Sequence, residues 1–144
     1  MAAMSAFRVR IADWEREREA MRAIRTPVFI QEQQVPQQIE WDEMDPLCVH
    51  ALALDADDTP IGTGRLAPDG KIGRMAVLEE WRGKGVGAAI LEFLVASAQE
   101  RGLKECHMHA QCHALDFYLQ HGFETHGEEF MEADIPHVNM RKRL

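Results

Sequence analysis

The amino-acid sequence predicts an α+β fold, in which a meander of antiparallel strands is combined with flanking helices. Three strand-like segments separated by turn signals lie between residues 49 and 78, and short strands joined by tight turns usually pair antiparallel. A glycine-rich stretch follows them and opens an amphipathic helix. Because the 144 residues contain no linker or repeat, we expect one domain over residues 1–144 with one hydrophobic core.

The N-terminal part of the chain predicts one strand and two helices. Residues 7–11 alternate between apolar side chains and polar or small ones, which is typical of a strand. Asp13 is suited to cap a helix that begins at Trp14. Thr26-Pro27 predicts the N-cap and the first position of a second, short helix.

A meander and a helix occupy the middle of the chain. The predicted strands cover Val49–Asp55, Ile61–Leu66 and Ile72–Leu78, and the last of them leads directly into the glycine-rich stretch. Apolar residues at helical spacing between 90 and 98 then predict an amphipathic helix that ends at Gly102. The remaining predicted elements are a strand over Cys106–Gln111, a helix over Ala114–His121 that stops at Gly122, and two strands around Phe123–Met131 and Val138–Lys142.

Composition excludes several classes of protein. The formal net charge of −8 argues against a nucleic-acid-binding protein, which needs a basic surface to displace counterions. Apolar runs are too short to span a bilayer, and residues 1–5 do not begin a signal peptide, so we expect no membrane partner. Three cysteines without a CxxC motif suit reduced thiols in the cytoplasm.

The segment Arg82-Gly83-Lys84-Gly85-Val86-Gly87 has the features of a phosphate-binding loop. Glycines allow the backbone to approach a ligand closely, and the free amides at the start of the following helix point toward an anion. Arg82 and Lys84 add positive charge to an acidic protein. The residues that we expect to contact the phosphates are Arg82, Gly83, Lys84, Gly85, Val86, Gly87 and Ala88.

Two other nucleotide-binding motifs fit this loop less well. Residues 83–88 match GxGxxA, the dinucleotide fingerprint, and leave a nicotinamide-dependent oxidoreductase as an alternative. That fingerprint, however, opens a parallel sheet, whereas a meander precedes the loop here. A nucleotide triphosphatase loop needs Ser or Thr after its lysine, and Gly85 occupies that position.

The loop and the segments after it resemble the GNAT superfamily of acyl-CoA-dependent N-acyltransferases. The pyrophosphate motif of that family, [Q/R]-x-x-G-x-[G/A], is matched by Arg82, Gly85 and Gly87. The family then has a fifth strand, a helix that carries a tyrosine, and Gly-Phe. The corresponding residues here are Ala110-Gln111, Ala114, Phe117-Tyr118 and Gly122-Phe123.

Further segments resemble a bacterial branch of small GNAT proteins. They are Val28–Pro36, Gly62–Arg65 and Ile135–His137. Many GNAT enzymes have an asparagine at the end of the fifth strand, where this chain has Gln111, and this departure matches the branch. The branch does not specify an acceptor.

The resemblance implies a layered α/β/α arrangement, a mixed and mostly antiparallel sheet, and fourth and fifth strands that splay apart. It implies acetyl-CoA as co-substrate, without a metal, and an acetyl group transferred to a primary amine. The pantetheine arm would pair with the backbone of Met75, Ala76 and Val77. A non-catalytic acyl-CoA sensor of the same fold is the alternative, and a homodimer is compatible with the sequence.

The resemblance also implies catalytic roles. Tyr118, the only tyrosine, corresponds to the family residue that protonates the leaving thiolate. An aliphatic amine is mostly protonated at neutral pH, so a base must accept its proton. Glu32, His50 and His137 are the candidates, and Glu32 and His137 lie on the segments that wall the acceptor site in the family.

Two polar clusters receive a structural interpretation. His107, His109 and His113 lie on or after one predicted strand, but no acid or cysteine completes a zinc site at suitable spacing. Residues 35–46 contain two prolines and four acids and indicate a loop. Its acids, Glu40, Asp42, Glu43 and Asp45, are interpreted as a solvated surface, with attraction of a cationic acceptor as the alternative.

Overall fold

The computed structural model describes residues 6–34 and 43–144, so residues 1–5 and the predicted loop residues 35–42 lie outside the description. The strands are β1 (Phe7–Ala12), β2 (Val49–Asp55), β3 (Pro60–Leu66), β4 (Ile72–Val77), β5 (Glu105–Gln111), β6 (Glu124–Glu132) and β7 (Ile135–Arg143). The α-helices are α1 (Trp14–Arg25), α2 (Val86–Glu100) and α3 (Leu115–Gln120). No helix in the described ranges is long and apolar enough to cross a membrane.

The strands form two antiparallel sheets that meet at one corner. One sheet has the order β1-β2-β3-β4 and the other the order β5-β7-β6. A single parallel bridge joins Lys71 to His107, where the His107 amide donates to the Gly70 carbonyl at 3.1 Å. Beyond this bridge β4 pairs with β3 and β5 pairs with β7, so β4 and β5 diverge. The predicted α+β class and the predicted splay are therefore confirmed.

Helices cover both faces of the first sheet. Alternate residues of β2 point in opposite directions, as the pleat requires. Leu52 and Leu54 pack with the buried residues of α1, whereas Ala51 and Ala53 pack with those of α2. The core therefore has two parts, one on each side of the sheet, as expected for three layers.

Two glycines of β3 allow α2 to lie close to the sheet. A Cβ atom on Gly62 would lie 2.9 Å from Ile90 Cδ1, and one on Gly64 would lie 2.8 Å from Ile90 Cγ2. Between them, the buried Thr63 points to the other face and its hydroxyl donates to the Ala51 carbonyl at 2.8 Å. The segment Gly62–Arg65 thus has a packing role on both faces.

The start of α1 is as predicted, and a second helical segment follows it directly. The Asp13 side chain accepts from the amide of Glu15 at 3.0 Å and caps the helix. The predicted second helical segment after Thr26-Pro27 is present, but Thr26 is not its N-cap, because its φ of −60° and ψ of −55° are helical and continue α1. Residues Thr26–Glu32 form a π-helical segment. Pro27 lacks an amide hydrogen, and a wider turn tolerates that loss without ending the helix.

Glycines with positive φ end the other two helices. Gly102 has a φ of +76°, and the Leu103 amide donates to the Ala98 carbonyl at 3.1 Å. Gly122 has a φ of +86°, and the Phe123 amide donates to the Tyr118 carbonyl at 3.1 Å. Both patterns are Schellman motifs. The second motif fixes the end of α3, the helix that carries Tyr118. A 3₁₀ turn over Cys112–Ala114 precedes this helix.

A buried cluster of charges anchors the end of α1 to β3. Asp45 Oδ1 accepts from Arg25 Nη1 at 3.0 Å and from Arg65 Nη1 at 2.8 Å. His50 Nε2 lies 2.7 Å from the Asp45 carbonyl, and its ring stacks on Trp14 at 4.7 Å. Asp45 is only 1% exposed, so its interpretation as part of a solvated surface is wrong, whereas Glu43 is exposed. Glu40 and Asp42 lie outside the described residues.

Candidate active site

A cleft of about 630 Å³ opens where β4 and β5 diverge. It is bounded by β4, β5, the π-helical segment, α3 and the β6–β7 hairpin. Its wall includes Val28, Phe29, Glu32, Gln33, Arg74, Met75, Ala76, Val77, Arg82, His109, Gln111, Phe117, Tyr118, Glu132 and His137.

The predicted phosphate loop lies beside the cleft at the start of α2. Gly83 and Gly85 have φ values of +76° and +87°, and a Cβ atom added at either position would lie more than 4 Å from every described residue except its chain neighbours. The first amide bonded within the helix is that of Ala89, which donates to the Gly85 carbonyl at 3.1 Å. Gly85 offers no side-chain cap, so the amides of residues 86–88 have no intrahelical partner.

The approach to this loop differs from the prediction in two respects. A 3₁₀ turn over Glu79–Trp81 separates β4 from the loop, so the strand does not lead into it directly. Gly87 lies within α2 and does not need positive φ. A Cβ atom there would contact the Phe117 ring at 3.7 Å, which is an ordinary distance. Only Gly83 and Gly85 of the three therefore depend on the freedom of glycine.

The edge of β4 that faces away from β3 supplies backbone groups to the cleft. The Leu78 amide donates to Ile61 at 2.9 Å across the sheet, and backbone groups alternate along a strand. Val77 therefore presents its amide and carbonyl to the open side, where its carbonyl accepts from Arg82 Nε at 3.0 Å. A bulge with Arg74 at a φ of +50° interrupts the pairing with β3.

Arg82 and Glu32 form an ion pair across the mouth of the cleft. Arg82 Nη2 lies 2.9 Å from Glu32 Oε1 and 3.2 Å from Oε2. Both carboxylate oxygens thus contact the guanidinium group of the residue that was predicted to bind phosphate. Lys84 lies with its Nζ 5.1 Å from the centre of the Trp81 ring, a cation–π contact beside the loop.

Tyr118 lines the cleft from α3. Its ring packs edge-on against Phe117 at 5.1 Å and Phe123 at 6.2 Å between ring centres. Burial raises the pKa of Tyr118 to about 12 because the phenolate is poorly solvated. Within the described ranges the hydroxyl makes no hydrogen bond to protein. It is therefore a protonated donor that remains available to a ligand.

Glu132 joins two histidines on the hairpin side of the cleft. Its Oε1 lies 2.9 Å from His109 Nδ1 and its Oε2 lies 3.5 Å from His137 Nε2. His137 is 5% exposed, and its Nδ1 lies 2.7 Å from the Ile135 carbonyl. Burial raises the pKa of Glu132, but the His109 hydrogen bond and the charges of His109, His137 and Lys71 outweigh it, so the pKa is lowered.

A hydrogen-bonded chain connects the two sides of the cleft. Gln111, at the end of β5, donates from Nε2 to Gln33 Oε1 at 2.8 Å. His113 Nε2 lies 2.5 Å from Gln111 Oε1. Gln111 therefore ties β5 to the end of the π-helical segment.

The structure brings most of the predicted site residues to one cleft. Glu32, Arg82, Tyr118, His137 and 75–77 line it. His50 does not line it and lies buried in the charge cluster described above.

Sequence reasoning missed Glu132 and the position of His109 in the cleft. The alternation of His109 with Gln111 on β5 was the available signal. No group of three or more potential metal ligands is set for an ion in residues 6–34 and 43–144.

The comparisons with known proteins agree on one family. The model of the family described as "Acetyltransferase (GNAT) domain" matches residues 16–144. The YyaT protein of Bacillus subtilis is 39% identical over 127 residues, which are 84% of this chain and 85% of that protein. The uncharacterized N-acetyltransferase YjcF of the same organism is 37% identical over 123 residues, 83% of this chain and 87% of that protein.

Solved structures show the same similarity in three dimensions. An acyl-CoA N-acyltransferase from Pseudomonas aeruginosa has a TM-score of 0.84 and 28% identity, with 95% of this chain and 99% of that chain covered. Escherichia coli ElaA has a TM-score of 0.82 and 27% identity over 95% of this chain and 99% of its own. Neither the family nor these structures supports the dinucleotide alternative for the loop.

Proposed function

The chain belongs to the GNAT family of acetyltransferases, and we propose that it transfers an acetyl group from acetyl-CoA to a primary amine. The observation that carries this proposal is the cleft between β4 and β5. Uncapped helix amides lie beside it, an open strand edge forms its wall, and a protonated tyrosine lines it.

The cofactor is assigned to the β4 and α2 side of the cleft. The pyrophosphate accepts hydrogen bonds from the loop over residues 82–88, where the helix dipole and two cationic side chains favour an anion. The pantetheine arm runs along Met75, Ala76 and Val77, as an additional strand beside an open edge. The thioester then lies between β4 and Tyr118.

The backbone of β4 and the Tyr118 hydroxyl also take part in the proposed reaction. The Val77 amide polarises the thioester carbonyl and stabilises the oxyanion that forms when the amine attacks. The C–S bond then breaks, and Tyr118 donates its proton to the sulfur. Glu32 and His137, one on each side of the acceptor half, are the predicted candidates for the base. The availability of the Tyr118 hydroxyl favours an enzyme over a non-catalytic acyl-CoA sensor.

Two measurements test this function. The first is release of free thiol from acetyl-CoA in the presence of a panel of primary amines, with N-acetylated product identified by mass. The second is the acetyl-CoA dissociation constant of Gly85→Asp, measured by calorimetry. We expect affinity to fall at least tenfold, because the new carboxylate occupies the phosphate position.

Gly127→Asp is the matched control for the second measurement. Gly127 also has positive φ, at +82°, and also has no atom within 4 Å of an added Cβ, but it lies outside the cleft. Both variants thus place an aspartate in a strained backbone conformation. Equal affinity of the two variants would reject the placement of the cofactor.

A further inference from the structure

The acceptor half of the cleft brings a predicted base, His137, next to a carboxylate that was not predicted, Glu132. His137 Nδ1 is 2.7 Å from the Ile135 carbonyl, which can only accept, so Nδ1 carries the proton of the neutral ring. Its Nε2 then presents a lone pair. This nitrogen faces Glu132 Oε2 at 3.5 Å. Two acceptors therefore face each other, and a donor placed between them satisfies both.

Glu132 is held in place and kept ionised by its surroundings. His109 Nδ1 lies at 2.9 Å and fixes the other carboxylate oxygen. The groups that lower the pKa of the carboxylate against the effect of burial are His109 on β5 and Lys71 just before β4, and His137 on β7 does so once it carries a proton. Glu132 is thus a carboxylate at neutral pH, with a side chain 47% exposed.

Glu32 is in a different position. Both of its oxygens contact the guanidinium group of Arg82, which lies on the cofactor side. A proton taken up by Glu32 breaks that ion pair, whereas a proton taken up by His137 creates one with Glu132. The ion pair of Glu32 thus belongs to the cofactor side, whereas Glu132 and His137 face each other in the acceptor half.

We infer that Glu132 binds the ammonium group of the acceptor and that His137 Nε2 accepts its proton. The inference rests on the proposed acetyl transfer and names its substrate class: an aliphatic primary amine that is charged at neutral pH. His109 is a positioning residue that holds the carboxylate.

The proton and bond changes balance. The ammonium group gives one proton to His137 Nε2, and the imidazolium that results pairs with Glu132. The neutral amine attacks the thioester carbon, forming a C–N bond, and the C–S bond breaks. Tyr118 protonates the thiolate and is reprotonated by the second proton that leaves the nitrogen. His137 returns its proton to solvent, so one proton is released for each amide formed.

The test compares Glu132→Gln with wild type, using ethanolamine, spermidine and L-lysine as acceptor probes. Steady-state kinetics give the KM of each amine, the KM of acetyl-CoA, and kcat/KM for the amine from pH 5 to 9. Glu128→Gln is the matched control, because Glu128 lies on the same strand, is exposed and does not line the cleft. Glu32→Gln is measured in parallel.

Glu132→Gln should raise the amine KM at least tenfold, since the partner of a charged donor is lost. It should move the ascending limb of kcat/KM to lower pH, since the carboxylate no longer lies beside the imidazolium. The acetyl-CoA KM should change less than about twofold, and Glu128→Gln should behave as wild type. The inference is overturned if Glu132→Gln changes neither the amine KM nor the pH of the ascending limb of kcat/KM. It is also overturned if that limb moves in Glu32→Gln instead.

Failure of the proposed function has a different signature. In that case wild type binds acetyl-CoA but acetylates none of the three amines. The dissociation constants of the three amines, measured by calorimetry, then test whether Glu132 forms an ammonium site. Affinity that falls at least tenfold in Glu132→Gln supports an ammonium site, and affinity that does not change rejects it.

Discussion

The Tyr118 hydroxyl is protonated and, among the residues that the structure describes, has no hydrogen-bond partner in the protein. Tyr118→Phe removes this donor and keeps the ring that packs against Phe117 and Phe123. General acid catalysis contributes about 10²–10⁴-fold, but a thiolate is a stable leaving group, so we expect kcat to fall roughly 10- to 100-fold. The measurement is kcat for a competent amine across pH, in both proteins.

The control for Tyr118→Phe is its melting temperature and its affinity for acetyl-CoA, both of which should stay close to wild type. A folded variant with wild-type kcat at every pH would mean that solvent supplies the proton. Tyr118 would then be a packing residue only.

The ion pair between Arg82 and Glu32 predicts a competition at the level of single residues. In the proposed complex the cofactor pyrophosphate competes with the Glu32 carboxylate for the guanidinium group of Arg82. Glu32→Gln should therefore lower the acetyl-CoA dissociation constant, by up to about fivefold, because partly exposed ion pairs contribute about 0–1 kcal/mol. Calorimetry at low and at moderate salt measures this change.

The dependence of acetyl-CoA affinity on salt concentration is the internal control for Glu32→Gln. Screening weakens both the ion pair and the contacts of Arg82 and Lys84 with the phosphates, so wild-type affinity should fall as salt increases. Weaker acetyl-CoA binding by Glu32→Gln at low salt would show that the pair orients Arg82 for the cofactor rather than competing with it.

At the level of elements, the packing of α2 on β3 depends on two positions without a side chain. Gly64→Ala would place a Cβ atom 2.8 Å from Ile90 and 3.0 Å from Leu94. Forcing a methyl group into a filled core typically costs about 1–3 kcal/mol, and urea denaturation should show a loss of this size.

Gly73→Ala is the control for this packing prediction. Gly73 lies on the adjacent strand, and an added Cβ would have no atom within 4 Å. Its free energy of unfolding should stay within about 0.5 kcal/mol of wild type. Equal losses in Gly64→Ala and Gly73→Ala would mean that backbone flexibility, not contact with α2, determines the result.

Local signals predicted some elements well and others poorly. Asp13 caps α1 because a cap needs only neighbouring residues, and Gly102 and Gly122 end their helices for the same reason. Thr26-Pro27 has the pattern of a helix start, yet Val28 and Phe29 are buried against the sheet and the helix continues as a π-helical segment. That outcome depends on packing, which the local pattern does not contain.

At the level of the whole molecule, prediction of the candidate site from the sequence is also limited to contacts between residues that are close along the chain. The predicted phosphate loop is continuous in sequence, so it could be proposed from the order of its residues alone. Gln33 and Gln111, in contrast, are hydrogen bonded although 78 residues separate them. The contact of Glu132 with His109 likewise spans 23 residues and depends on the register of three strands.

The buried charge cluster links the stability of the whole molecule to pH. Burial lowers the pKa of His50, and the charges of Arg25 and Arg65 add to this effect against that of Asp45. The unfolded state, with a pKa near 6.5, therefore binds more protons below that pH. We expect the free energy of unfolding to fall as pH decreases from about 7 to 5.

His50→Gln should reduce this pH dependence, by up to about 1.4 kcal/mol per pH unit, because glutamine keeps a donor but does not titrate. Urea denaturation at several pH values measures the slope. His126→Gln replaces an exposed histidine and should keep the wild-type slope. If both variants keep the wild-type slope of unfolding free energy against pH, groups other than His50 cause the loss of stability in acid.

The divergence of β4 and β5 has a consequence for how this protein can evolve. One side of the cleft comes from a single stretch of chain, from Lys71 to Arg82, with the glycine loop next to it. The opposite side is assembled from a helix end, a strand end and a hairpin turn. If the proposed division of the cleft is right, substitutions on that side alter which amine is accepted and leave the cofactor side intact, so duplicated copies can diverge in acceptor while they keep the same donor.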